Sequence, residues 1–151
     1  MTWTMENKII IINGPNLNLL GKRKPEIYGN TPFEHYVTEL RTAFPNVQLT
    51  CLQSNHEGQL IDWLHEYGFG KADGIVLNAG GYTHTSVALH DAVEAIETPV
   101  AEVHITDITH RESFRRTSLL TDVCAHTIIG HGLKGYEEAI QWLSEHWKKN
   151  N

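Results

Sequence analysis

Apolar residues along this chain fall into short continuous runs, separated by longer stretches in which they recur every three or four positions. Ile9-Ile10-Ile11-Ile12, entered at Lys8 and left at Asn13, has no polar alternation, which is how a strand buried on both faces of a parallel sheet reads. Val47 to Leu52, Gly74 to Asn78, Val100 to Ile105 and Ala125 to Ile129 supply four further strands. Between them lie amphipathic stretches with helix punctuation. Thr31-Pro32-Phe33-Glu34 predicts a helix to about Ala43, with Thr31 as N-cap, Pro32 at the first helical position and Glu34 closing a capping box. Ser54-Asn55-His56-Glu57 predicts a second box, opening a helix through Ile61, Trp63, Leu64 and Tyr67 that Gly68 and Gly70 stop. A third helix carries Val87, Ala88, Leu89, Ala92, Val93 and Ile96 and ends before Pro99. The last, Tyr136 to Trp147, has Ala139, Ile140, Leu143 and Trp147 on one side.

Strand and helix alternate throughout, and parallel neighbours require crossover helices. The pattern therefore predicts an α/β fold: a doubly wound, five-stranded parallel sheet of the flavodoxin-like kind, with helices on both faces. A chain of 151 residues suits a single domain spanning 1–151. In such sheets a ligand lies beyond the carboxyl ends of the strands, where the strand order reverses. That rule singles out three polar segments: Asn13 to Asn30, Asn78 to Ser86, and His104 to Arg116. Thr106 to Leu120 shows no clean period.

Composition narrows the function classes. Twelve Lys and Arg stand against 18 Asp and Glu, for a formal charge of −6, which disfavours a nucleic-acid binder in need of a basic face. Mean hydropathy is −0.32, and no apolar run approaches the roughly 20 residues that span a bilayer. With no apolar stretch of signal-peptide type near Met1 to Lys8, cytoplasmic location is the expectation. Cys51 and Cys124 lie far apart without a CxxC and read as buried, reduced thiols. Gly130-His131-Gly132-Leu133-Lys134-Gly135 matches GxGxxG, but too little chain follows it for the second strand and acidic residue of a dinucleotide site, so it reads as turn and packing. There is no GxxxxGK[ST] and no HExxH, and the ten histidines lack ligand-like spacing. Neither metal nor cofactor is expected.

The first loop is long for its place and carries three asparagines, then Lys22, Arg23 and Lys24 just before Tyr28. A cation near a phenol favours the phenolate, and moving that pKa from about 10 to about 7 takes roughly 4 kcal/mol. Tyr28 is thus a candidate base, with simple packing of a loop aromatic as the alternative. In Ala101 to Thr106, alternation turns Glu102, His104 and Thr106 to one side. A carboxylate beside a histidine fixes its tautomer and suits it as a general acid; a solvated strand edge is the alternative. Asn78 ends a strand, and His84 and Asp91, seven apart, are expected on one helical face. Arg111, Arg115 and Arg116 suggest an anionic or polyhydroxylated small ligand, or else interface salt bridges. Six of the twelve cations thus fall in two loops predicted at one end of the sheet, a basic mouth on an acidic protein.

Asn13 to Gly21, Arg23-Lys24-Pro25, Tyr28-Gly29, Gln53 to Gly58, Asn78 to His84 and Glu102 to Thr106 occur in the order and spacing of a known family. From about Lys8 to Trp147 the chain closely resembles type II 3-dehydroquinate dehydratase. The resemblance implies a cofactor-free dehydration of 3-dehydroquinate to 3-dehydroshikimate in the shikimate pathway of aromatic amino acid biosynthesis, or in quinate catabolism. It implies Tyr28 as base, Arg23 as stabiliser of the phenolate, Asn16 as holder of a water on the enolate oxygen, and His104, oriented by Glu102, as acid. Asn78 with the backbone of Ile105 and Thr106 would bind the substrate carboxylate, and His84 and Arg115 its hydroxyls. It further implies a homododecamer built from trimers, in which Asp91 reaches a neighbouring site. Two departures stand out: Lys24 replaces the family's usual Glu, and Thr106-Asp107 replaces Ser-Asn. A reading of another class is a non-catalytic flavodoxin-like module that binds a nucleotide or flavin.

Overall fold

The computed structural model describes residues 7–147. Strands β1 (Asn7–Asn13), β2 (Val47–Gln53), β3 (Gly74–Asn78), β4 (Val100–His104) and β5 (His126–Ile129) form a sheet in the order β2-β1-β3-β4-β5. Every neighbouring pair is parallel. Helices α1 (Pro25–Tyr28), α2 (Phe33–Ala43), α3 (Glu57–Tyr67), α4 (Val87–Ala95) and α5 (Lys134–Trp147) lie in the connections and after β5. This is the flavodoxin-like order predicted from the alternation of strand and helix.

Residue parity along the strands sorts the core into two layers. Ile9, Ile11, Val76 and Val103 pack with Tyr36 and Leu40 of α2 and with Tyr136, Ile140 and Leu143 of α5. Ile10, Ile12, Ile75 and Leu77 pack with Leu60 and Leu64 of α3 and with Leu89 and Val93 of α4. Ile9 to Ile12 are each at most 1% exposed, and burial of each such side chain contributes about 1.5–3 kcal/mol. Because α2 and α3 take opposite faces, the order reverses between β1 and β3, and a crevice opens at their carboxyl ends. There Gly14 donates its N–H to the Asn78 carbonyl at 2.7 Å. A Cβ on Gly14 would stand 2.4 Å from the Ala79 carbonyl oxygen, so glycine alone permits this approach.

Several boundaries differ from expectation. Thr31 does not cap α2: Pro32, extended at ψ 145°, takes the N-cap place, no side chain caps the helix, and Glu34 closes no box. The Ser54 box is also absent. Ser54 Oγ accepts from the His56 N–H in a tight turn, His56 precedes α3, and Glu57 instead accepts from the Ser86 hydroxyl. Strand β4 stops at His104 rather than Ile105, β5 starts at His126 rather than Ala125, and α5 starts two residues before Tyr136. The polar segments read as loops contain 3-10 turns at Leu17–Leu19, Gly80–His84, Ile108–His110 and Ser113–Arg115. In the Gly-rich turn before α5, a Cβ on Gly135 would lie 3.2 Å from Val103, so this glycine lets α5 settle on the sheet.

Candidate active site

The ends of β1, β3 and β4 bound a cleft of about 130 Å³, below the roughly 300–1,000 Å³ of pockets for drug-sized ligands. Its floor is polar and buried. Asn13 and Asn78 are register partners across β1 and β3. The Tyr136 hydroxyl, rising from α5, donates to Asn13 Oδ1 at 2.8 Å and accepts from Asn78 Nδ2 at 2.9 Å. Asn78 Oδ1 accepts from the Gly80 N–H at 3.2 Å. The second amide hydrogen of Asn78 is the one a ligand in the cleft can take.

On β4, Glu102 is fully buried and His104 is 5% exposed. His104 Nε2 lies 2.5 Å from Glu102 Oε2, which makes Nδ1 the ring nitrogen that serves the cleft. Ser118 Oγ donates to the same carboxylate oxygen at 2.5 Å, and Thr121 and Thr127 donate to Oε1 at 2.8 and 3.0 Å. Burial pushes the Glu102 carboxyl up, but the bonds from His104, Ser118 and Thr121 outweigh it and hold the group below its ordinary value. Glu102 is therefore a buried carboxylate with four donors.

His84, at the end of the 3-10 turn after β3, lies with Nδ1 2.8 Å from the Thr117 carbonyl oxygen. A carbonyl only accepts, so Nδ1 carries the proton and Nε2 of the neutral ring is an acceptor. Burial lowers the His84 pKa, and the charges of His104 and Arg115 add to that effect. Cations line the remaining wall: Arg23, Arg111 and Arg115 all border the cleft, and among the described residues no carboxylate does. Arg111 Nη1 donates to Thr106 Oγ1 at 3.2 Å. Arg115 Nε stands 2.9 Å from Glu112 Oε2, a charge contact rather than an aligned hydrogen bond. The first loop is braced from below: Gln53 Nε2 donates to the Gly14 carbonyl at 3.2 Å, and Asn55 Oδ1 accepts from the Asn16 N–H at 3.0 Å. Asn16 adopts a left-handed φ of 70°, which asparagine tolerates better than most residues.

Of the residues singled out in the sequence, Asn16, Arg23, Asn78, His84, His104, Ile105, Thr106 and Arg115 line the cleft, and Glu102 stands behind His104. The Tyr28 backbone closes α1, but its side chain lies outside the described residues, as does that of Trp147. Asp91 is not at this chain's cleft. It sits exposed on α4, 3.0 Å from His90 Nδ1. Nor do His84 and Asp91 share a helical face, because the turn ending at His84 is separate from α4. Lys22, Lys24 and Arg116 do not line the cleft, so three rather than six cations form its basic wall; Arg116 Nε donates to the Arg111 carbonyl at 3.1 Å. Among the described residues, no three His, Cys, Asp or Glu side chains gather as a metal site requires. No helix there is long and apolar enough to cross a membrane.

The profile of the family described as Dehydroquinase class II matches residues 7–144. The chain belongs to that family. It is 49% identical over 145 residues to a 3-dehydroquinate dehydratase of an Exiguobacterium species, covering 95% of this chain and 99% of that one. It is 45% identical over 146 residues to the catabolic 3-dehydroquinase of Verticillium alfalfae, covering 95% and 97%. The crystal structure of type II dehydroquinase from Butyrivibrio crossotus superposes with a TM-score of 0.87 at 45% identity, over 92% of this chain and 98% of that one.

Within this class II dehydroquinase, the residues that depart from the family's usual motifs at Lys24 and Asp107 lie outside the cleft lining. Lys24 takes a left-handed φ of 38° at the start of α1. The Asp107 carboxylate accepts from the Thr109 hydroxyl and N–H at 2.5 and 3.0 Å, bonds that hold it below the ordinary aspartate value. It caps a 3-10 turn and does not line the cleft. Sequence reading missed the hydroxyls of Ser118, Thr121 and Thr127 and the bracing by Gln53 and Asn55. For Thr127 a signal existed: it is a polar residue in a β-branched run.

Proposed function

We propose that this dehydroquinase is a hydro-lyase converting 3-dehydroquinate to 3-dehydroshikimate through an enolate. The observation that carries the reading is His104, backed by buried Glu102 and facing a small cleft walled by three arginines, in a chain whose relatives are named for this dehydration.

Tyr28, as phenolate, takes the proton from C2, and the electron pair moves onto the C3 carbonyl oxygen. Arg23 stabilises the phenolate. Asn16 holds a water against the enolate oxygen, a dipole set where charge develops. The enolate then collapses: the C3 carbonyl reforms, C1 and C2 become doubly bonded, and the C1–O bond breaks. His104, as the imidazolium with its Nε2–H on Glu102, delivers its Nδ1 proton to that oxygen and becomes the neutral ring, so the leaving group departs as water rather than hydroxide. Asn78 and the backbone of Ile105 and Thr106 hold the substrate carboxylate. His84 Nε2 accepts from a ring hydroxyl, and Arg115 donates to another. By family resemblance the subunit assembles as a dodecamer built from trimers, with Asp91 completing a neighbouring site, and works in the cytoplasm without a cofactor.

The test is absorbance of the conjugated enone formed from 3-dehydroquinate. Wild type turns over, and Tyr28→Phe loses at least about a thousandfold, the order expected when the group that moves the proton is removed. Absence of turnover by wild type refutes the activity; a fully active Tyr28→Phe refutes the assignment of the base.

A further inference from the structure

Glu102 sits on β4 with its carboxylate fully buried, and the donors around it come from separate parts of the chain. Thr127 is its register partner on β5 and donates to Oε1 at 3.0 Å. Thr121 and Ser118 reach in from the segment that precedes β5, donating to Oε1 at 2.8 Å and Oε2 at 2.5 Å. Ser118 Oγ also accepts from the Leu120 N–H at 3.1 Å, which turns its own proton toward Glu102. The same segment carries the Thr117 carbonyl that fixes the His84 tautomer. Both carboxylate oxygens are thus doubly satisfied, and His104 is the one donor of the four that faces the cleft.

We propose that Ser118, Thr121 and Thr127 are positioning residues that act through Glu102: together they fix both carboxylate oxygens, so that His104 is held with Nε2–H on Glu102 and Nδ1 presented to the substrate. This rests on the reading of His104 as the leaving-group acid. A carboxylate with only His104 as donor can rotate or take up a proton, and in either case the ring loses its register. The titratable groups facing Glu102 are His104 on its own strand, His84 from the turn after β3, and Cys124 before β5, whose thiol burial pushes up and the Glu102 charge pushes further. Each hydroxyl favours the ionised carboxylate, so removing one makes Glu102 protonate at higher pH.

Thr127→Val keeps the β-branched shape and removes one donor. With 3-dehydroquinate, kcat falls by roughly tenfold, the size of one charge-assisted hydrogen bond, while KM stays within about twofold. The acid limb of the kcat profile moves to higher pH, and Thr127→Ser recovers most of the loss. Ser118→Ala and Thr121→Val move the limb in the same direction. An unmoved limb in all three variants, or a loss in Thr127→Val that Thr127→Ser does not recover, overturns the proposal. Nitrogen-15 resonances of the His104 ring give a readout independent of turnover. Wild type shows one sharp Nε2–H signal of a proton bonded to a carboxylate, and in Thr127→Val that signal broadens and shifts as the ring leaves Glu102; an unchanged ring refutes the clamp. A wild type inactive on 3-dehydroquinate refutes the functional reading instead, and the ring resonances still decide whether the hydroxyls position His104.

Discussion

His84 lines the cleft and Glu102 stands behind it, and each is held in the form its unfolded counterpart abandons first as acid is added. The ordinary imidazole value is 6.5, and burial lowers it for His84. As pH falls through 6.5, the unfolded ring takes a proton that the folded one refuses, so stability drops until the folded ring also protonates. Glu102 acts lower. Its folded carboxyl lies below the ordinary 4.5, so its contribution is complete above that value and is lost as pH falls through the folded pKa. Melting temperature therefore declines in two stages, and His84→Asn removes the first while leaving the second. A single decline below pH 4.5 in wild type contradicts this. Glu102 and His104 were legible from alternation, since residues two apart on a strand share a side. The hydroxyls of Ser118 and Thr121 were not, because both lie in the irregular stretch before β5, which only the return of the chain brings to β4.

Helix caps separate what short-range pattern can and cannot deliver. Two Ser/Thr-x-x-Glu patterns predicted boxes at Thr31 and Ser54, and neither formed, because Pro32 and His56 stay extended and begin their helices later. The side-chain cap on α4 comes from Ser86, whose Oγ accepts from the Leu89 N–H at 2.9 Å while its proton goes to Glu57 on α3. One hydroxyl thus closes a helix and ties it to its neighbour. Ser86→Ala is expected to cost about 1–2 kcal/mol, and Thr31→Ala to stay within about 0.5 kcal/mol of wild type. Urea unfolding of the two variants checks the ranking. The strands and longer helices were readable because each repeats its period several times; the 3-10 turns at the cleft are too short to have one.

For the molecule as a whole, strand order was readable and charge distribution only partly so. Alternation of strand and helix implies crossovers, and the order β2-β1-β3-β4-β5 then brings Asn13, Asn78 and His104 to one edge. Net charge hid a cationic wall, but counting cations per loop overstated it. Lys22, Lys24 and Arg116 share loops with the lining arginines without joining them. Asp91 bears on assembly, since it stands exposed on α4 away from its own cleft. If it completes a neighbour's site, sedimentation shows a species of twelve subunits, and Asp91→Ala loses activity while keeping the acid-dependent melting of wild type. A fully active monomer excludes that role. Tyr136 has a bearing on what the fold can hold. A crevice between diverging helices has no natural bottom, and here one phenol hydroxyl stretched between Asn13 and Asn78 supplies it. The Asn78 amide offered to a ligand is thereby aimed from inside the core, by a residue that no ligand needs to touch.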